Sequence, residues 1–198
     1  MNITSELVKA LRDKTQAGMM DCKEALKATD GDMEKAVEHL RKKGLATAQK
    51  RAGRTTSQGQ IGSYIHAGGK IGVMVEVNCE TDFVGRTEQF GELVHNLAMH
   101  IAAANPVCVR REEMPSELLE KEREIYWAQA KESGKPEKVM EKIVEGKVEK
   151  YLKECCLMEQ PYVKNPDISI TDLMNEKIAQ IGESITIRRF TRYQLGEE

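Results

Sequence analysis

The chain has 198 residues, 40% of them hydrophobic and 31% charged, with a formal net charge of −2, enough to bury a core and long enough for a small domain beside a larger one. Its five cysteines, Cys22, Cys79, Cys108, Cys155 and Cys156, are an odd number with no Cys-x-x-Cys pair, which argues against a disulfide framework and against a thiolate metal site. No apolar run is long enough to span a bilayer and charges interrupt the apolar residues near Met1, so neither a membrane segment nor a secretory signal is expected and the chain reads as soluble and cytoplasmic.

Residues 1–45 read as three short helices. Leu7 and Leu11, then Met19, Cys22, Ala25 and Leu26, then Met33, Ala36, Val37 and Leu40 recur at helical spacing, with Gly18, Thr29-Asp30-Gly31 and Gly44 as punctuation. Asp32 is placed to cap the third helix. Met19 and Met20 are informative because adjacent helical positions lie about 100 degrees apart, so both cannot be centred on one buried stripe. One of them is expected at the surface, either idle or offered to a partner.

Residues 46–57 lack apolar periodicity and read as a basic linker. Residues 1–56 carry 12 Lys and Arg against 8 Asp and Glu, and six of the basic residues fall between Arg41 and Arg54 with no acidic residue among them. Such a run is either solvated or turned to nucleic acid through Lys50, Arg51 and Arg54, in which case affinity falls steeply with salt.

Residues 58–198 read as an α+β core with a three- to four-stranded antiparallel sheet and its helices on one side. A strand from Gln60 joins a second through Ala67-Gly68-Gly69-Lys70, a hairpin signal. A phosphate-loop reading of these glycines fails, because Ile71 follows the lysine and leads into a strand. In that second strand Ile71, Val73, Val75 and Val77 alternate with Gly72, Met74, Glu76 and Asn78, the period of a half-buried strand. Cys79-Glu80-Thr81-Asp82 then breaks the alternation, and Phe83-Val84 precedes a helical pattern starting at Arg86. Two readings of Phe83 stand open: folded back as core, or displayed as an anchor for a partner's pocket.

Phe90, Leu93, Val94, Leu97, Ala98 and Ile101 form a helical stripe ending near Asn105-Pro106. Val107–Val109 reads as a short strand. A helix from Ser116 to Lys131 is broken at Gly134 and Pro136, and another runs to about Met158. A loop with Pro161 and Pro166 leads to a helix around Thr171–Ile181, and Ile185–Tyr193 closes the chain as an edge strand. Ile185, Ile187 and Phe190 lack a downstream segment to cover them, which predicts pairing of two cores, with Arg188, Arg189 and Arg192 on the exposed side.

Enzyme chemistry is absent from these patterns. His39, His66, His95 and His100 fall at no metal-ligand spacing, Cys79 has no oriented base, and Glu80 and Asp82 fit a solvated turn better than an acid–base pair. Neither metal, cofactor nor catalytic residue is expected.

Two long motifs carry a family resemblance: Leu11-Arg12-x-x-Thr15-x-x-Gly18-Met19-Met20-Asp21-Cys22-Lys23 and Glu76-Val77-Asn78-Cys79-Glu80-Thr81-Asp82-Phe83-Val84. With Trp127 and Gly134-Lys135-Pro136, Lys142-Ile143-Val144-Glu145-Gly146-Lys147 and Gln160-Pro161-Tyr162-Val163-Lys164, the chain resembles the elongation factor Ts family over nearly its whole length. Gly85 departs from the Ser or Ala usual there. The resemblance implies a ubiquitin-associated-like head and one core subdomain that grips elongation factor Tu and expels GDP, with no direct nucleic acid or membrane contact, and short members look like homodimers. By that likeness Thr81, Asp82, Phe83 and Val84 would be the wedge disturbing the partner's magnesium and phosphate site, and Arg12, Met19, Met20 and Lys23 would hold the head against the partner. A helix-binding adaptor built on the head alone is the other class left open; it would lose all binding on deletion of residues 1–52.

Overall fold

A computed structural model describes residues 3–132 and 136–197. The chain forms two compact units, each drawn from three stretches: Met1–Gly59, Asn78–Thr87 and Asp172–Thr186 make the first, and Gln60–Val77, Glu88–Thr171 and Ile187–Glu198 the second.

The first unit is built on α1 (Ser5–Thr15), α2 (Met19–Ala28) and α3 (Met33–Arg51). Thr4 caps α1 by accepting from the Leu7 amide, and Asp32 caps α3 by accepting from the amides of Glu34 and Lys35 at 3.1 and 3.0 Å. Asp30 and Gly31 turn the chain between α2 and α3 with positive φ. Val8, Leu11, Cys22, Ala25, Leu26 and Ala36 close a small core.

The third helix overruns its expected end: residues 46–51, assigned to the linker, are helical. Ala, Gln, Lys and Arg are good helix formers, and Gly44 marks a close approach where punctuation was expected. A Cβ built there would sit 3.4 Å from the Ala179 side chain, on α8 (Ile170–Ile181). Arg41 pairs with Asp172, and Gln180 donates to the Thr15 carbonyl at the end of α1.

The second unit holds most of a three-stranded sheet of β1 (Gln58–Ile65), β2 (Ile71–Cys79) and β5 (Ile185–Gln194), in the order β1-β2-β5. Gly68 and Gly69 take positive φ in the hairpin between β1 and β2. Val73, Val75 and Val77 bury one face of β2, and α5 (Glu88–Ala104) buries Phe90, Leu93, Val94, Leu97, Ala98 and Ile101. A Cβ on Gly62 would meet Val94 Cγ1 at 2.3 Å, so glycine leaves room for Val94 as β1 lies against α5. On the side away from α5, Ile61, Ile65 and Met74 are exposed.

Three expectations for β5 need correcting. Ile185 and Ile187 are buried within the chain itself and Phe190 is half-buried. Arg188 and Arg189 are exposed, but the Arg192 side chain is only 8% exposed and donates to the Ala102 carbonyl. The reason is a shift of phase along β5, where Arg188 and Arg189 are exposed in succession.

Helices α6 (Ser116–Glu132) and α7 (Glu137–Cys155) enclose a core of their own with Ala130, Val144, Val148, Leu152, Cys108 and Cys156. The expected break at Gly134 lies outside the described residues. Val107–Val109 is not a strand; Cys108 makes one isolated bridge with Cys156. The expected proline loop is instead a second small sheet, β3 (Pro161–Tyr162) antiparallel to β4 (Asn165–Ser169), which tolerates Pro161 and Pro166 because two strands have only edges. The architecture is α+β. Among the described residues no helix is long and apolar enough to cross a membrane.

Candidate partner-binding surface

Three residues after Cys79 the chain starts a single helical turn, α4 (Asp82–Gly85). Thr81 caps it: its hydroxyl accepts from the Val84 amide, while the Gly85 amide donates to the Thr81 carbonyl at 3.2 Å. The turn is closed by the Thr87 amide and hydroxyl, both donating to the Val84 carbonyl. The amides of Val84, Gly85, Arg86 and Thr87 all find acceptors within residues 81–84, so the end of the turn is held without Phe83 folding inward. Phe83 is 83% exposed, which excludes the core reading. Asp82 is half-exposed and pairs with Arg86, and Val84 is half-buried.

The turn is also tied from outside. Gly182 ends α8 with a φ of +86°, its amide bonded to the Ile178 carbonyl, and this reversal brings Glu183 to the turn. One Glu183 carboxylate oxygen accepts from the amides of Glu80 and Thr81 at 3.1 and 3.0 Å, and the other accepts from the Thr81 hydroxyl at 2.6 Å. In return Glu80 accepts from the Ser184 amide at 2.7 Å and pairs with Arg54 at 3.3 Å. The Ser184 amide is the main cause of the lowered Glu80 pKa, with Arg54 adding to it. Glu183 carried no sequence signal, because its partners lie about a hundred residues upstream.

Cys79 points the other way. It is buried, donates to the Thr81 carbonyl, and burial raises its pKa, so the thiolate that nucleophilic chemistry needs is suppressed. Among the described residues no group of three His, Cys, Asp or Glu is arranged to hold a metal ion. His100 is fully buried in α5, bonded to Gln160 and to the Val163 amide.

The head residues lie in the same unit, on α1 and α2. Arg12 occupies the last turn of α1, and Gln16 then reverses the chain with a φ of +55°. Met19 and Met20 open α2 at 51% and 66% exposure. Only one was expected outside; both are, because the buried stripe of α2 is Cys22, Ala25 and Leu26 and includes neither. Lys23 is exposed one turn further on.

Comparison with known sequences decides what this surface belongs to: the profile of the family Elongation factor TS matches residues 2–197. The chain belongs to the elongation factor Ts family. Elongation factor Ts of Desulfosudis oleivorans is 63% identical over 195 residues, covering 98% of each chain. Elongation factor Ts of Carboxydothermus hydrogenoformans is 60% identical over 98% of this chain and 90% of its own, and that of Geobacter sulfurreducens is 59% identical over 100% and 91%. Membership makes the chain a translation elongation factor, working in protein biosynthesis. The motif Thr81–Val84, with Phe83 exposed, stands on the same unit as the exposed head methionines.

Proposed function

We propose that this chain is a non-catalytic guanine-nucleotide exchange factor that binds elongation factor Tu in the cytoplasm and promotes GDP release by disturbing the magnesium and phosphate site, so that GTP can bind. The observation that carries this reading is Phe83, an aromatic almost wholly in solvent on a capped helical turn. Burying such a side chain in a partner contributes about 1.5 to 3 kcal/mol, and a rigid aromatic does so at low entropic cost. Thr81, Asp82, Phe83 and Val84 form the wedge, while Arg12, Met19, Met20 and Lys23 hold the head against the partner.

Exchange needs no covalent step. A factor that binds the nucleotide-free partner more tightly than the GDP-bound partner weakens GDP by the same factor, by linkage. The basic run 41–54 gives little support to a nucleic-acid reading: Arg41 pairs with Asp172, Lys43 with Asp21 and Glu24, and Arg54 with Glu80.

The chain acts as a homodimer in this proposal, and the support has moved from the edge to the face. Ile61, Ile65 and Met74 leave exposed apolar side chains on one side of the sheet, beside the Glu76–Arg189 pair, and a second copy would cover them. Light scattering that gives a monomer at micromolar concentration would overturn the dimer.

The exchange reading is tested by release of labelled GDP from purified elongation factor Tu. The chain is expected to accelerate release, and Phe83→Ala to lose about a hundredfold of that acceleration, in line with burial of one aromatic at the top of its range. Unchanged release with Phe83→Ala would sink the wedge.

A further inference from the structure

We infer that Glu183 is the positioning residue of the wedge: it holds Phe83 in its working geometry through the Thr81 hydroxyl. This rests on the reading of Phe83 as wedge and assigns the device that keeps it in place.

The argument is one of hydrogen-bond order. The Thr81 hydroxyl has one proton and accepts through its lone pairs. It donates to Glu183 at 2.6 Å and accepts from the Val84 amide, so the carboxylate decides which way the hydroxyl faces and therefore whether it caps the turn. The second carboxylate oxygen holds the amides of Glu80 and Thr81, fixing the backbone that enters the turn. Bonds to an ionised acceptor are about twice as strong as neutral ones. The reciprocal bond from the Ser184 amide to Glu80 makes a two-way clasp, so the turn and the Gly182–Ser184 segment move together or not at all. Phe83 has no packing partner of its own to set its direction, since it is almost wholly exposed. Its aim depends on the backbone, and the backbone depends on Glu183.

Removing this carboxylate leaves amides at a surface turn where water replaces it, so the fold survives while the wedge loosens. A small misplacement of a positioned group costs rate far more than it costs stability.

The test measures GDP release from elongation factor Tu against factor concentration, separating the maximal rate from the half-saturating concentration. Glu183→Ala is expected to lower the maximal rate about tenfold, with melting shifted by only a few degrees. Glu183→Gln keeps one acceptor oxygen and is expected to retain a third or more of the rate, a conservative rescue. In a Phe83→Ala background Glu183→Ala should add less than a twofold loss, because a residue that acts through Phe83 has nothing left to position. A tenfold loss in both backgrounds, or an unchanged maximal rate, overturns the inference. Should Glu183→Ala fail to fold, Glu183→Ser, which removes the carboxylate and keeps a small polar side chain, is compared in the same two backgrounds and must lose rate only where Phe83 is present. Phe83→Ala behaving as the original chain would bring down the wedge and this inference together, whereas a defective Phe83→Ala beside an unaffected Glu183→Ala brings down this inference alone.

Discussion

Phe83 and Phe90 stand seven residues apart and have opposite fates: one is 83% exposed and the other fully buried. Phe90 lies on α5, where the apolar positions recur at helical spacing and the whole stripe is buried together. Phe83 lies on a turn whose caps come from Thr81 and whose external ties come from Glu183. Hydrophobicity alone does not bury a side chain; it is buried when its element presents it to a core, and α4 is one turn long with Phe83 turned to solvent.

The largest expected effect separates the two directly. Phe90→Ala should destabilise by about 3 to 5 kcal/mol through lost transfer energy and the cavity left behind. Phe83→Ala should leave the melting temperature nearly unchanged while GDP release slows. Thermal melts of both variants check this, and a comparable loss in each would erase the distinction on which the wedge rests.

What the sequence revealed follows the same division. The stripes of α5, β2 and the head helices were legible because burial there is periodic and local. The fate of Phe83 was not, since the groups that fix its turn sit on residues 182–184, remote in the chain. Met19 and Met20 were half-legible: spacing excluded a shared stripe, but only the packing of Cys22, Ala25 and Leu26 put both outside. The run to Arg51 was hidden because Gly44 looks like a helix end in sequence and is a contact with Ala179 in the fold.

A smaller effect probes the buried side through a glycine. Gly62→Ala would place a Cβ 2.3 Å from Val94 Cγ1, a contact that drives the buried Val94 out of its rotamer or moves α5 or β1, and costs about 1 to 3 kcal/mol as overpacking. A denaturation midpoint equal to that of the original chain would show that β1 is looser against α5 than the geometry requires.

Acid adds a pH axis to the same helix. Burial holds His100 below its ordinary pKa of 6.5, with the Gln160 bond opposing the shift. The unfolded chain therefore binds a proton that the folded chain refuses: stability from this group is complete above pH 6.5 and is lost as pH falls below it. The slope from this one group can be no steeper than about 1.4 kcal/mol per pH unit. His100→Gln should flatten the stability profile between pH 6.5 and 5, measured by denaturant titration at each pH; an unchanged slope would place the acid sensitivity elsewhere.

The smallest effect returns to the turn, at Gly85. The position is buried and closes α4, and a Cβ there would stand 3.4 Å from the Gly59 Cα and 3.5 Å from its amide nitrogen and carbonyl oxygen. Those are contacts with backbone, which cannot rotate away as the end of a side chain can, yet they are at ordinary van der Waals distance. Gly85 is not among the residues of positive φ, so an L side chain fits its backbone without strain. Glycine in such a place gives up about 0.5 to 1 kcal/mol relative to alanine, chiefly because the unfolded chain has more conformations to lose. Gly85→Ala should therefore raise the melting temperature by about 1 to 3 °C in a chain of this size. It should leave GDP release within twofold, because the nearest atoms to the added methyl are those of Gly59, and the bonds that Glu183 and the Thr81 hydroxyl make are untouched. A lowered melting temperature would mean that Gly59 presses closer than ordinary contact allows. A raised melting temperature with release slowed tenfold would carry the opposite lesson, that the wedge works by yielding, and would set Phe83 apart from Phe90 by flexibility as well as by exposure.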